Sequence, residues 1–146
     1  MGTSYVEFIG KGYWTHDAFL EGLSYLLARE FSKLENKEKW QIDLIERWTD
    51  AATAGFVGCV PSYIKYFDTH DKVQLLRATL INILNQLSEN ENYLTVTELN
   101  ENKVGQGGWN IIDVKRLINI VQLTLDLIDG KLKTDASSPI DYWNLD

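Results

Sequence analysis

The chain has 146 residues, of which 45% are hydrophobic and 24% are charged, and its formal net charge is −7. This length and composition predict one compact domain and exclude a disordered chain, because the chain can bury enough apolar surface to form a core. The acidic balance argues against nucleic acid as a direct ligand, and the longest uncharged stretch, residues 51–64, is shorter than the roughly 20 apolar residues of a membrane span.

The first two predicted helices follow from apolar residues that recur at steps of three and four. The first helix spans residues 16–34, and Thr15 is its expected N-cap. The second spans residues 37–53, with Asn36 as the expected cap and Gly55 as the residue that ends it.

Two further helices are predicted at residues 70–87 and 111–129 by the same apolar spacing. The last one has almost no polar face, which predicts a helix surrounded by the others. Asn110 is its expected cap, with Asp113 three residues later. Gly130 is the expected C-terminal stop.

The connections are less regular, and two of them are compatible with short strands. Residues 5–9 and 93–99 carry β-branched and aromatic side chains. Thr95 and Glu98 also fit a capping box, which would instead start a helix at that position. The choice between strand and helix for residues 93–99 stays open at this level.

Residues 10–14 and 105–109 both read G-x-G-x-W. A glycine loop before a helix can bind an anion through its backbone N–H groups, but neither stretch extends into a nucleotide-binding motif. The favoured interpretation is that the glycines supply turns with positive φ. Each tryptophan would then pack on the helix that follows.

The tripeptide Thr-His-Asp occurs twice, at residues 15–17 and 69–71. A metal-dependent HD-like phosphohydrolase would use histidine and aspartate ligands of this kind. The candidates are His16, His70, Asp71 and Asp126. The simpler interpretation makes each Thr a helix N-cap and places each Asp at the positive end of a helix dipole. We therefore predict no catalytic residue, metal or cofactor, and keep the phosphohydrolase as the alternative.

The single cysteine, Cys59, permits no intramolecular disulfide. Its neighbours are apolar, which favours an inert thiol rather than a nucleophile. Residues 1–30 lack the basic start and apolar core of a signal peptide. Together these observations predict a cytoplasmic protein.

The most acidic stretch, residues 88–102, has four asparagines and no basic residue. Its carboxylates are Glu89, Glu91, Glu98 and Glu101. Such a surface is expected to attract a basic partner. Tyr63, Tyr66 and Phe67 form a second candidate recognition surface, since aromatic residues concentrate at interfaces, although packing in the core is the favoured interpretation for them.

We therefore expect a single all-α, mainly helical domain over residues 1–146, a four-helix or irregular bundle with a possible minor two-stranded β element. The expected function is non-enzymatic binding of a basic protein, as in small acidic immunity or inhibitor proteins that neutralise a toxin such as a nuclease. No nucleic acid or membrane partner is expected. A self-associating structural or regulatory helical protein is a further alternative.

Overall fold

The computed structural model describes residues 2–54 and 65–132. Within these ranges the chain forms a β-hairpin and five α-helices, and helices make up 64% of the structure. The elements are β1 (Thr3–Phe8), β2 (Lys11–His16), α1 (Asp17–Ser32), α2 (Lys39–Thr53), α3 (His70–Glu89), α4 (Val96–Glu101) and α5 (Val114–Ile128). A 3-10 helix, Val104–Gly107, lies between α4 and α5. The prediction of a mainly helical fold with a two-stranded element is confirmed.

The hairpin pairs β1 and β2 antiparallel, with Tyr5 opposite Trp14. Ile9 and Gly10 form its two-residue turn, and both have positive φ, at 50° and 75°, as a hairpin turn of the primed type requires. Gly12 lies within β2, where a Cβ atom would collide with the carbonyl oxygen of Val6. The expectation that residues 10–14 are a loop before a helix is therefore wrong, because they form the turn and the second strand.

The first helix starts directly from the end of β2. Thr15 was expected to cap it, but Thr15 is a fully buried strand residue. His16 occupies the N-cap position without a side-chain capping bond. The backbone N–H of Asp17 instead donates to the carbonyl oxygen of Gly2 at 3.0 Å, so the hairpin takes over part of the role of the cap.

Of the three other predicted N-caps, one is confirmed and two are wrong. The side chain of Thr69 caps α3 by accepting a hydrogen bond from the backbone N–H of Lys72. Asn36 and Asn110 are not caps, because α2 and α5 begin later, after Glu38 and Asp113. Asn36 adopts a left-handed φ of 51°, so the chain turns there before α2 begins.

Residues 93–99 form no strand. The side chain of Thr95 accepts a hydrogen bond from the backbone N–H of Glu98 at 3.1 Å, and α4 follows immediately. The helix-capping alternative is therefore the correct one for this segment. At the far end of α5, Gly130 has a φ of 72° and ends that helix as predicted.

The core is formed mainly by α1 and α5. Helix α5 packs against α1, α3 and both strands, whereas α1 packs against α2, α3, α5, β2 and the 3-10 helix. Leu117, Ile120 and Val121 of α5 are buried, whereas Lys115 and Gln122 are exposed. The expectation that this helix is surrounded by the others is therefore met on its inner side and not on its solvent side. None of the helices in the two described ranges combines the length and the apolar character that a membrane crossing requires.

One buried polar pair joins the hairpin to α5. The Thr124 hydroxyl donates to the carbonyl oxygen of Ile120 at 2.7 Å, so the Tyr13 hydroxyl, also at 2.7 Å, donates to Thr124. Burial raises the pKa of Tyr13 above its usual value. Both hydroxyl groups are thus hydrogen-bonded inside the core, and the bond between them fixes the orientation of the hairpin against α5.

Replacing Val121 with Asp should unfold or nearly unfold the domain. Val121 is fully buried, and an unpaired charge at such a site costs about 4 kcal/mol or more, against a total of about 5–15 kcal/mol for a domain. Gln122→Asp places the same charge on the next, exposed residue; it removes a hydrogen bond to Asp126 and sets two carboxylates four residues apart, so it should cost about 1 kcal/mol. Urea unfolding followed by circular dichroism measures both variants, and equal midpoints would show that α5 is not central.

Candidate functional site

A groove with a volume of about 490 Å³ opens between the N-terminal part of α1 and the segment that follows α4. Its walls include two carboxylates, an indole ring and the backbone of three glycines. The side chains that matter for its chemistry are Asp17, Ala18, Glu21, Trp109 and Ile111. We call this cavity the acidic groove.

The two carboxylates share one side of α1 because residues four apart lie on adjacent turns of a helix. Asp17 is in the first turn, where a negative charge favours the positive end of the helix dipole. Its Oδ1 accepts a hydrogen bond of 2.6 Å from the hydroxyl of Ser4. The hairpin therefore orients Asp17, and Glu21 follows one turn later.

The opposite wall approaches Glu21 closely through Gly105. This glycine has a φ of 54°, and a Cβ atom at its position would lie 2.6 Å from Oε2 of Glu21. A larger residue would therefore be strained and would push the carboxylate away. The second G-x-G-x-W stretch thus faces two acidic side chains, which is the wrong charge for an anion site.

Trp109 is held firmly in the wall of the groove. Its indole Nε1 donates to the carbonyl oxygen of Val104 at 2.9 Å. The side chain of Asn100 bonds both the backbone N–H and the carbonyl oxygen of Trp109, each at 2.9 Å. Trp109 was expected to pack on the helix that follows it, but it lines a groove against α1.

The carboxylates of the groove have no counter-charge within the described ranges. The ion pairs of that part of the chain involve neither Asp17 nor Glu21. Burial and, secondarily, the charge of Asp17 raise the pKa of Glu21 to about 7. Two carboxylates in this arrangement are stabilised by a proton or by a cation.

The predicted acidic surface is only partly available to a partner. Glu89, Glu91 and Glu101 are exposed. Glu98 instead binds inward, because its Oε2 accepts hydrogen bonds from the hydroxyl of Tyr25 at 2.5 Å and from Arg29 at 2.8 Å. Glu98 is thus neutralised within the chain by Arg29, and its contact with a partner stays a prediction.

Arg29 extends this contact into a network. Its guanidinium also donates to the carbonyl oxygen of Tyr93 at 2.9 Å and lies 4.4 Å from the centre of the Tyr93 ring. Burial, followed by the hydrogen bond to Glu98, raises the pKa of Tyr25 to about 12, so this hydroxyl remains a donor. The network holds α4 on α1 and thereby fixes the wall of the acidic groove.

Of the predicted aromatic surface, Phe67 is buried and not exposed. This side chain is 3% exposed, and its ring lies 5.7 Å from that of Trp40 and 6.4 Å from that of Trp48. Phe67 therefore packs in the core, which the sequence favoured for these residues. Tyr66 is half-buried against the same cluster, and Tyr63 lies outside the described residues, as do Gly55 and Cys59.

The residues proposed for a phosphohydrolase metal site do not lie together in the structure. Within residues 2–54 and 65–132, no group of three or more histidine, cysteine, aspartate and glutamate side chains could hold a metal ion. That group would have contained His16, His70, Asp71 and Asp126. The two Thr-His-Asp tripeptides are structurally different, because one ends a strand and the other starts a helix after a loop.

Sequence reasoning did not find the acidic groove. Its one visible signal is Asp17 and Glu21 at a spacing of four, a like-charge pair that weakens a helix unless something else requires it. Trp109 lines the groove through tertiary contacts, and the spacing of residues along the sequence does not reveal such contacts. No family model, curated protein or solved structure matches this chain, so the function of the groove is inferred from its own geometry.

Removing the carboxylate of Glu98 should destabilise the fold, although Glu98 lies in the acidic surface segment. We expect Glu98→Ala to lower the free energy of unfolding by about 2 kcal/mol, because it removes two charge-assisted hydrogen bonds. Glu101→Ala, in the same helix but exposed, should change it by about 0.5 kcal/mol or less. Urea unfolding compares the two variants, and an equal loss would contradict the inward-facing role of Glu98.

Glu21 should make the protein less stable as the pH rises. Its folded pKa of about 7 lies above the 4.5 of a solvent-exposed glutamate, so the folded chain binds the proton more tightly, and stability falls from about pH 4.5 to pH 7. Glu21→Gln removes this loss and should raise the melting temperature more at pH 8 than at pH 5. Thermal melts at both pH values test this, with the exposed Glu46→Gln as control. A pH-independent gain would contradict it.

Proposed function

We propose that this protein is a non-enzymatic binding domain for a basic protein, of the immunity or inhibitor type that neutralises a toxin such as a nuclease. The observation that carries the proposal is the acidic groove, where Asp17 and Glu21 lie side by side without a basic residue of the described chain to neutralise them. A cation supplied by a partner would satisfy both carboxylates.

The electrostatic cost of the groove supports a role in binding. Two neighbouring carboxylates on one helix repel each other, and partial burial strengthens that repulsion. Neither group stabilises the fold through an ion pair, unlike Glu98, which binds Arg29. A feature that costs folding energy is typical of functional sites.

The exposed glutamates add long-range attraction to this site. Glu89, Glu91 and Glu101 remain on the surface, and Asn100, next to Glu101, holds the Trp109 wall of the groove. The acidic surface segment is therefore followed along the chain by one wall of the groove, whereas the two carboxylates of the groove lie on α1. With a net charge of −7, such a surface would speed the encounter with a basic partner and slow that with an acidic one.

The alternatives have weaker support. A phosphohydrolase needs a metal site that the described residues do not assemble. Self-association would use exposed apolar residues, and the large ones of the described ranges are Ile9, Ile42, Ile111 and Val114. Four side chains from the hairpin turn, α2 and the chain around the start of α5 are few for the roughly 800 Å² that each partner buries in a stable interface.

The proposal is tested by capture followed by reconstitution. Immobilised protein would be exposed to a lysate of the source cells at low salt, and the retained proteins would be identified and purified. We expect a retained protein with an excess of lysine and arginine, bound by wild type at least about tenfold more tightly than by Asp17→Asn/Glu21→Gln. The isolated complex should also lack the partner's own activity.

The matched control is Glu46→Gln/Asp50→Asn, which makes the same change of charge at the same spacing on an exposed part of α2. This control should bind the partner as wild type does. The triple variant Glu89→Lys/Glu91→Lys/Glu101→Lys should mainly slow association and reduce its salt dependence. Partners that are neutral or acidic, or a complex that keeps full activity, would contradict the proposed function.

A further inference from the structure

We infer that the acidic groove receives a single arginine side chain of the partner, with its guanidinium at Asp17 and Glu21 and its aliphatic part along Trp109. This inference rests on the proposed function, because it names the group that the partner contributes. It goes beyond general charge attraction by assigning one residue type to one cavity.

The shape of the groove fits one long side chain. Its volume of about 490 Å³ falls within the range of about 300–1,000 Å³ of sites that enclose small ligands. One long side chain with the backbone beside it fits such a space. A whole helix or strand of a partner would instead need an extended surface.

The chemistry of the walls favours a cation with an apolar stem. Among the lining residues that the structure describes, Asp17 and Glu21 are the titratable side chains, and both are acidic. Ala18 and Trp109 provide apolar surface beside them, and Ile111 stands 78% exposed at the rim. Long basic side chains place their methylene groups along such surface while the charged end reaches polar groups.

Arginine matches these groups better than lysine does. A guanidinium is planar and offers five N–H donors, so it can bond two carboxylates at once and stack on an aromatic ring. Asp17 and Glu21 keep free acceptor positions even though Ser4 occupies one position on Asp17. An ammonium group has three donors and is more strongly hydrated, so it loses more on entering a half-buried groove.

Release of a proton from Glu21 is a second measurable consequence of arginine binding. Glu21 has a pKa of about 7 in the free protein, and a guanidinium beside it would lower that pKa. Binding of arginine therefore releases a proton and should strengthen as the pH rises from 6 to 8. Within residues 2–54 and 65–132, Asp17 is the one other titratable side chain that lines the groove.

Gly108 provides a way to block the groove without disturbing the fold. It lines the cavity, its φ is −99°, and a Cβ atom at its position would meet nothing within 4 Å. Gly108→Leu should therefore fill the groove and leave the melting temperature unchanged. Gly105 is unsuitable for this test because of its positive φ and its contact with Glu21.

The test is a nuclear magnetic resonance titration of the full chain with the capped tripeptides Gly-Arg-Gly, Gly-citrulline-Gly and Gly-Lys-Gly. Citrulline has the shape of arginine without its charge. We expect the arginine peptide to shift the indole N–H signal of Trp109 at millimolar concentrations, and more strongly at pH 8 than at pH 6. The citrulline peptide should have no effect and the lysine peptide a weaker one.

Three variants complete the test. Gly108→Leu and Asp17→Asn/Glu21→Gln should abolish the shift, whereas Glu46→Gln/Asp50→Asn should keep it. The inference is overturned if the arginine peptide shifts nothing, if citrulline or lysine acts as strongly, or if Gly108→Leu still responds. A basic partner bound equally by Gly108→Leu would overturn the arginine site and leave the proposed function standing, while arginine binding without any basic partner would overturn the function alone.

Discussion

Four side chains on one side of α1 determine both how α4 is held and where the acidic groove opens. Asp17, Glu21, Tyr25 and Arg29 follow one another at steps of four, so they lie on successive turns of a helix whose other sides are buried. The last two are satisfied by Glu98, which accepts hydrogen bonds from both. The first two meet no basic side chain of the described chain, and the acidic groove opens beside them.

The opposite wall of the groove is held in place by contacts that begin at Glu98, which binds Tyr25 and Arg29. Glu98 anchors α4 on α1, and Asn100, two residues later, fixes the backbone of Trp109. Gly105 then brings the chain close to Glu21, an approach that only a residue without a Cβ atom permits. The stability of α4 and the shape of the groove are therefore linked, so loss of the Glu98 network should also alter the groove.

This arrangement separates two roles among carboxylates that look alike in the sequence. Glu98 gains stability from a half-buried pair with an arginine, whereas Glu89, Glu91 and Glu101 are exposed and contribute little to folding. Glu21 is partly buried without a cation, which raises its pKa to about 7. A group that is costly in the free protein and would be satisfied by a partner's cation connects the stability of the fold to the proposed binding function.

The sequence alone was enough to predict the helical segments, because apolar spacing of three and four reports which side of a helix is buried. It also determined local signals such as the Thr69 cap and the Gly130 stop, since these depend on bonds between near neighbours. It could not separate the two G-x-G-x-W stretches, of which one is a hairpin and the other the wall of a groove. That difference and the inward contacts of Glu98 follow from tertiary packing, because both depend on residues far apart in the chain that come together only when the helices pack.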